Sequence, residues 1–157
     1  VKITSRLALI GAAVLAAGLI PVAADAHPPQ LTDQQRQQIV SRFATAVIHD
    51  DHQGIIANTT PGITWTVPGH SAVSGTAVGQ RAVVKLVDTF ARYNLNISLR
   101  AYTYGADTVA VELHDTGNHN GRTLDQDIVN VLTIRDGRIS ALSGNFADTA
   151  SFDAYFS

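Results

Sequence analysis

Cysteine is absent from the 157 residues. That excludes disulfides, thiolate metal centres, iron–sulfur clusters and a cysteine nucleophile. Charge is scarce: 15% of residues are Asp, Glu, Lys or Arg against 45% hydrophobic, which argues against a disordered chain. Eleven Lys and Arg stand against thirteen Asp and Glu, so no basic field for nucleic acid exists. No glycine loop of dinucleotide or phosphate type occurs, and no nucleotide cofactor is expected. No apolar run reaches the roughly 20 residues that a membrane-spanning helix needs.

The longest such run, Leu7 to Ile20, follows Lys2 and Arg6 and ends at Pro21, and Ala24-Asp25-Ala26 comes next. A positive start, a short apolar middle and a small-x-small end form the pattern of a secretory signal peptide over residues 1–26. The alternative is a retained membrane anchor. Val in place of Met at position 1 fits an alternative bacterial start codon, so the expectation is a bacterial protein of the cell envelope or secreted. Cleavage after Ala26 leaves residues 27–157, with 9 basic and 12 acidic residues and a net charge of 9 − 12 = −3. This is one domain by length. No stable membrane span remains after cleavage.

Residues 27–31 read as a linker and 32–157 as the domain. Thr32 with Gln35 three residues later suits a capping box. Ile39, Val40, Phe43, Ala46 and Val47 then predict an amphipathic helix to about Asp50. A short helix follows through Asn58. Thr59-Thr60-Pro61-Gly62 reads as a turn, Ile63–Val67 as a strand and 71–79 as a small-residue loop. Val83 to Ala91 predicts a second long helix. Four strand patterns follow, Leu95–Tyr104, Thr108–Thr116, Leu124–Ile134 and Arg138–Phe146, with Asp136-Gly137 as a tight hairpin turn. Phe152, Tyr155 and Phe156 form an apolar tail. Helices ahead of an antiparallel meander predict an α+β fold with N-terminal helices on a strongly curved, mainly antiparallel sheet. Such a cone encloses a pocket.

Three stretches carry a family resemblance. Trp65-Thr66-Val67-Pro68-Gly69 with Val73-Ser74-Gly75-Thr76 and Gly79 is one. Val109–His114 with Gly121–Asp125 is the second. Ile134–Ile139 with Asp148 and Asp153–Phe156 is the third. In this order they resemble SnoaL-like, polyketide-cyclase-type proteins. These belong to the nuclear-transport-factor-2-like superfamily, with ketosteroid isomerases, limonene-epoxide hydrolases, scytalone dehydratases and many non-enzymatic members. The resemblance implies a cone-shaped α+β barrel and dimerisation through the outer sheet face. It leaves the activity open, because function lives in the site. Where relatives often carry an aromatic or acidic pair, this chain has Ser143-Gly144-Asn145, which implies a wider, more polar pocket wall.

His114 is the first candidate for acid–base work. It alternates with Glu112 and Ala110 on one strand face, while Val109, Val111 and Leu113 share the other. Either face can be the pocket wall. Asp148 falls on the family's recurrent Asp, and Asp127 lies one hairpin from His114. Both are candidate carboxylates, with a helix cap and a solvated strand edge as their respective alternatives. Trp65 and Tyr102 are candidates to orient a ligand, or are core aromatics with a polar tip. Asn130, polar amid Ile128, Val129, Val131 and Leu132, needs a partner. Glu112 pairs with His114 as a pocket candidate, and His70 stands in a loop that could gate the entrance. No metal is expected. His49 and His52 sit beside Asp50 and Asp51 at a helix end, and His114-Asp115 and His119 flank a turn without a third ligand. The expected partner is a small hydrophobic carbonyl compound, processed by cofactor-independent isomerisation, cyclisation or dehydration. The alternative is a non-catalytic binding or dimerising domain of the same fold.

Overall fold

The computed structural model describes residues 30–157, so the leader and most of the linker lie outside the described residues. Residues 31–157 cluster as one compact unit. Among the described residues no helix is long and apolar enough to cross a membrane.

Helix α1, Asp33–Ile48, starts at the predicted capping box. The Thr32 hydroxyl accepts from the Gln35 backbone N–H at 3.2 Å, and the Gln35 side chain accepts from the Thr32 N–H at 2.8 Å. Its buried stripe contains Ile39, Val40, Phe43 and Ala46. Asp50, in the left-handed region at φ 52°, turns the chain into α2, His52–Asn58, whose first turn is capped by Asp51. Helix α3, Gln80–Arg92, buries Val83, Val87 and Phe90 against the sheet.

The strands are β1 (Thr59–Val67), β2 (Gly75–Val78), β3 (Leu95–Tyr104), β4 (Thr108–His119), β5 (Arg122–Arg135) and β6 (Arg138–Phe146). They form one sheet in the order β2-β1-β6-β5-β4-β3. Every neighbouring pair is antiparallel except β1 with β6. The α+β class and the curved, mainly antiparallel sheet are those expected. The sheet is open, with β2 and β3 as its edges, so the cone is completed by helices and not by strand closure.

Two local readings change. Residues 59–62 are the irregular first part of β1, where the pairing with β6 skips from Thr59 to Thr64. Pro and Gly there signal a bend within a strand and not a turn between elements. The loop at 71–79 holds the four-residue edge strand β2, too short and too rich in small residues to leave a period.

Strand β3 carries a bulge at Arg100: Leu99 pairs with Leu113, and the next paired residue, Ala101, faces Glu112. The extra residue reverses the alternation. Leu95, Ile97 and Leu99 face inward before it, and Tyr102 and Tyr104 face inward after it, opposite the buried Val111 and Val109. Helix α4, Thr149–Tyr155, closes the narrow end with the fully buried Phe152, Tyr155 and Phe156. Tyr155 lies against Gly117 of β4, where a Cβ would collide with its ring, and its hydroxyl donates to the Tyr93 carbonyl.

Candidate functional site

The inner faces of β3–β6 and the underside of α1 enclose a chamber of about 60 Å³. That is several times what one water needs. Phe43, Trp65 and Phe90 form a chain of tilted and edge-on rings along it, 5.9 and 5.8 Å between centroids. Among the described residues, the polar side chains lining it are, apart from the Trp65 indole, Asp115 of β4 and Asn130 of β5. A second, more polar hollow of about 190 Å³ lies outside it and shares Val47, Ile48, Phe90, Leu95 and Ile97 as a common wall. Ile48 and Leu99, both at the chamber, are among the large apolar residues left exposed.

Asp115 is 4% exposed. It continues the inward series Val109, Val111, Leu113. Burial pushes its carboxyl up to about 7, although the charge of the adjacent His114 pulls it back down in part. Near neutral pH it is therefore divided between acid and base forms. Its cross-strand partner is Gln126 of β5, 7% exposed. The Gln126 Oε1 accepts from the Asp148 backbone N–H at 3.0 Å, which fixes the amide's orientation and sends its NH₂ group the other way. Asp115 Oδ1 and Gln126 Nε2 are both buried and have no hydrogen-bond partner among the described residues.

The structure sorts the expected site residues between the two faces. The Val109/Val111/Leu113 face lines the chamber, so His114 and Glu112 are placed on the opposite, outer face. There His114 Nδ1 lies 2.7 Å from Asp127 Oδ1, and Nε2 lies 3.1 Å from Asp125 Oδ1. Asp127 is exposed on the same face. The His114 hydrogen bond is the main cause that holds its carboxyl below the usual range, aided by Arg100 and opposed by desolvation. Asp148 is the N-cap of α4, its carboxylate accepting from the Ser151 N–H at 3.0 Å. These four residues therefore stand outside the chamber, for two reasons: strand register and helix capping.

Of the ligand candidates, Trp65 and Asn130 do line the chamber. Gly144, in register with Asn130, leaves its amide open to that space; a Cβ on Gly144 would stand 3.4 Å from the Asn130 Oδ1. Gly144 alone of the 143–145 triplet lines the chamber, so the wall is widened there by a missing side chain. Tyr102 is not among the lining residues: its hydroxyl bonds the Ser41 hydroxyl at 2.8 Å and ties β3 to α1. His70 is exposed, and its backbone N–H donates to both Asp153 carboxylate oxygens at 2.9 Å. Asp115 and Gln126 are the residues that sequence reasoning missed. Their signal was a carboxyl, and then an amide, in step with an apolar alternation.

Away from the chamber, His52 Nε2 lies 2.7 Å from Asp88 Oδ1 and 3.6 Å from Asp50 Oδ1. The three groups are close enough to share a cation. They are half-exposed or exposed, and a hydrogen-bonded imidazole between carboxylates accounts for them.

The fold has known counterparts. A protein of unknown function with a cystatin-like fold from Xanthomonas campestris is 29% identical, with a TM-score of 0.71 over 76% of this chain and 96% of that one. A nuclear-transport-factor-2-like protein from Burkholderia xenovorans LB400 is 25% identical, with a TM-score of 0.71 over 80% and 98%. TerC, co-crystallised with polyporic acid, is 20% identical, with a TM-score of 0.69 over 78% and 98%. No curated protein matches the chain in sequence. The family model of the SnoaL-like domain matches residues 40–142, well over half of the chain. That stretch runs from α1 into β6 and contains both Asp115 and Asn130, and on it the chain belongs to the SnoaL-like domain family.

Proposed function

We propose that the chamber binds a small hydrophobic carbonyl compound and that Asp115 moves a proton at the carbon next to the carbonyl. The observation that carries this reading is the Asp115 carboxyl, shifted to about 7 by burial, lining a mostly apolar space that it shares with the Asn130 amide, with one oxygen unbonded among the described residues. A base of that affinity is matched to neutral pH, and an apolar site strengthens its interaction with a developing charge. In the step, the Asp115 carboxylate takes the α-proton, the C–H electron pair forms the new C=C bond, and the carbonyl π pair moves onto oxygen. Return of the proton to the same or a conjugated carbon gives exchange or isomerisation. His114 and Asp127, on the outer face, take no part. TerC, which shares the fold, was crystallised with an organic acid, in keeping with a small-molecule ligand.

Two wider readings accompany this one. The leader pattern at residues 1–26 supports export to the envelope or beyond. The outer sheet face, where Val129 is 37% exposed beside Val131 and Ala141, suits a homodimer contact.

Deuterium exchange tests the chemistry. The protein is mixed with cyclohexanone in D₂O and loss of the α-proton signal is followed by NMR. Exchange faster than buffer, and its loss in Asp115→Asn, supports proton transfer. Binding without accelerated exchange supports the alternative, a non-catalytic ligand-binding domain, which the nearly unbroken apolar lining favours.

A further inference from the structure

The chamber, at about 60 Å³, is small for a whole ligand. Small-molecule pockets usually run from about 300 Å³ upward. The hollow beside it adds about 190 Å³. Ile48, at the end of α1, lines both spaces and is 45% exposed. The chamber therefore meets solvent on the side where the hollow lies, and a molecule seated in one can extend into the other. The two spaces differ in chemistry. Asp50 lines the hollow, and β3 runs along it at Asn96 and Ser98. Strand β3 is an edge of the sheet, so part of its backbone N–H and C=O groups has no strand to pair with. Asp50 is also the member of its cluster that the imidazole does not engage. His52 Nε2 bonds Asp88 Oδ1 at 2.7 Å and stands 3.6 Å from Asp50 Oδ1, beyond hydrogen-bond range. The Asp50 carboxylate is thus left to accept from another donor.

We infer that the hollow is a second half of the binding site and takes a polar tail of the ligand, with Asp50 accepting a hydrogen bond from a hydroxyl or ammonium group on that tail. The ligand class narrows to a two-part molecule. A compact apolar carbonyl head sits in the chamber, and a short donor-bearing tail passes Ile48 into the hollow. Val87 and Ala91 in the hollow's wall suit the methylenes of such a tail. A tail that ends in a carboxylate is disfavoured, because it meets Asp50 with like charge. The inference rests on the proposed seating of a ligand in the chamber and not on its turnover.

The test uses the full chain and NMR titration with four ketones of one head: cyclohexanone, 4-propylcyclohexanone, 4-(3-hydroxypropyl)cyclohexanone and 3-(4-oxocyclohexyl)propanoate. Cyclohexanone is expected to shift the amide signals of chamber residues such as Val111 and Leu113. The hydroxypropyl ketone should also shift Ala91 and Asn96, which line the hollow alone. It should bind about tenfold more tightly than the propyl ketone, as a hydrogen bond to a charged group does, and more tightly than the propanoate. Asp50→Gly removes the acceptor and keeps the turn, because glycine accepts the φ of 52° found there. It should abolish the preference for hydroxypropyl over propyl and narrow the gap to the propanoate. Unmoved Ala91 and Asn96 signals, equal affinities for the hydroxypropyl and propyl ketones, or a preference that survives Asp50→Gly overturns the inference. Should Asp50→Gly fail to fold, the wild-type affinities and shifts decide by the same criteria. Two further outcomes separate this claim from the proposed chemistry. Tail-dependent shifts in the hollow without accelerated deuterium exchange retain the two-part site and defeat the base. Accelerated exchange of cyclohexanone with no response in the hollow to any tail retains the base and defeats the two-part site. Binding of none of the four defeats both.

Discussion

Asp115 and Gln126 stand opposite each other on β4 and β5, each buried, each with one polar atom that nothing among the described residues satisfies. A fold that leaves two such atoms side by side is less stable than it would be with apolar residues there. That cost is concentrated where the chamber's chemistry lies.

Stability should record it through pH. Below about pH 4 Asp115 is neutral in both folded and unfolded chains and contributes no difference. Between about 4 and its folded value of about 7, the folded protein keeps a proton that the unfolded chain has released. Folding stability therefore falls as pH rises through this window, by at most about 4 kcal/mol for three pH units. Denaturant titrations from pH 4 to 8 should show that decline, and Asp115→Asn should flatten it. An Asp115→Asn protein that keeps the same decline would show that the carboxyl is not the group responsible.

The outer-face histidine should matter to the chamber by its charge alone. His114→Ala removes the neighbouring imidazole whose electrostatic effect lowers the Asp115 value, so the midpoint of the exchange rate against pH should move upward. The maximal rate should stay within about twofold. A collapse of the maximal rate would return His114 to the chemistry.

Asp148 is a cap. Asp148→Ala should cost about 1 kcal/mol of stability, read by thermal or denaturant unfolding, and leave exchange activity intact. The Asp148 N–H that holds Gln126 belongs to the backbone and survives the substitution.

Gly144 sets the width of the chamber wall. Gly144→Val should crowd Asn130 and Phe146, with a Cβ at 3.4 and 3.1 Å from their nearest atoms. Overpacking of this kind costs about 1–3 kcal/mol. It should also weaken cyclohexanone binding, because Gly144 lines the chamber.

The hydrogen bonds that Asp153 accepts from the loop at His70, Ser71 and Ser74 should be lost in acid. Burial raises its carboxyl, but hydrogen bonds from His70, Ser71 and Ser74 outweigh that and hold it below the usual range. Its contribution is thus present above about pH 4 and lost as pH falls through the lowered folded value. Amide hydrogen exchange at His70 and Ser71, corrected for the intrinsic rate, should quicken there. Unchanged protection at low pH would mean that the loop is held by other contacts.

The local signals in the sequence proved readable. Thr32 and Gln35 announce α1, Asp136-Gly137 announces the last hairpin, and the element order points to the family. What stayed hidden depends on distant pairing. The β4 pattern offers two faces, and only packing against α1 decides that Val109, Val111 and Leu113 face inward. Once that is known, Asp115 follows by counting. Its neighbour His114 drew the chemical reading because imidazole is the commoner acid–base group, but adjacent strand residues cannot share a face. Gln126 becomes notable only beside Asp115, eleven residues away by chain and one strand away in space. Capping explains why Asp148, at the right place for the family's recurrent Asp, is occupied elsewhere.

The bulge at Arg100 has a consequence for how this protein can vary. It divides β3 into two reading frames, one that delivers Leu95, Ile97 and Leu99 to the chamber and one that delivers Tyr102 and Tyr104 to α1. Substitutions within either half leave the other in place. A single deletion at the bulge would merge the frames, turn both tyrosines toward water and strand Ser41 without its partner. For this edge of the sheet, chain length is a stricter constraint than residue identity.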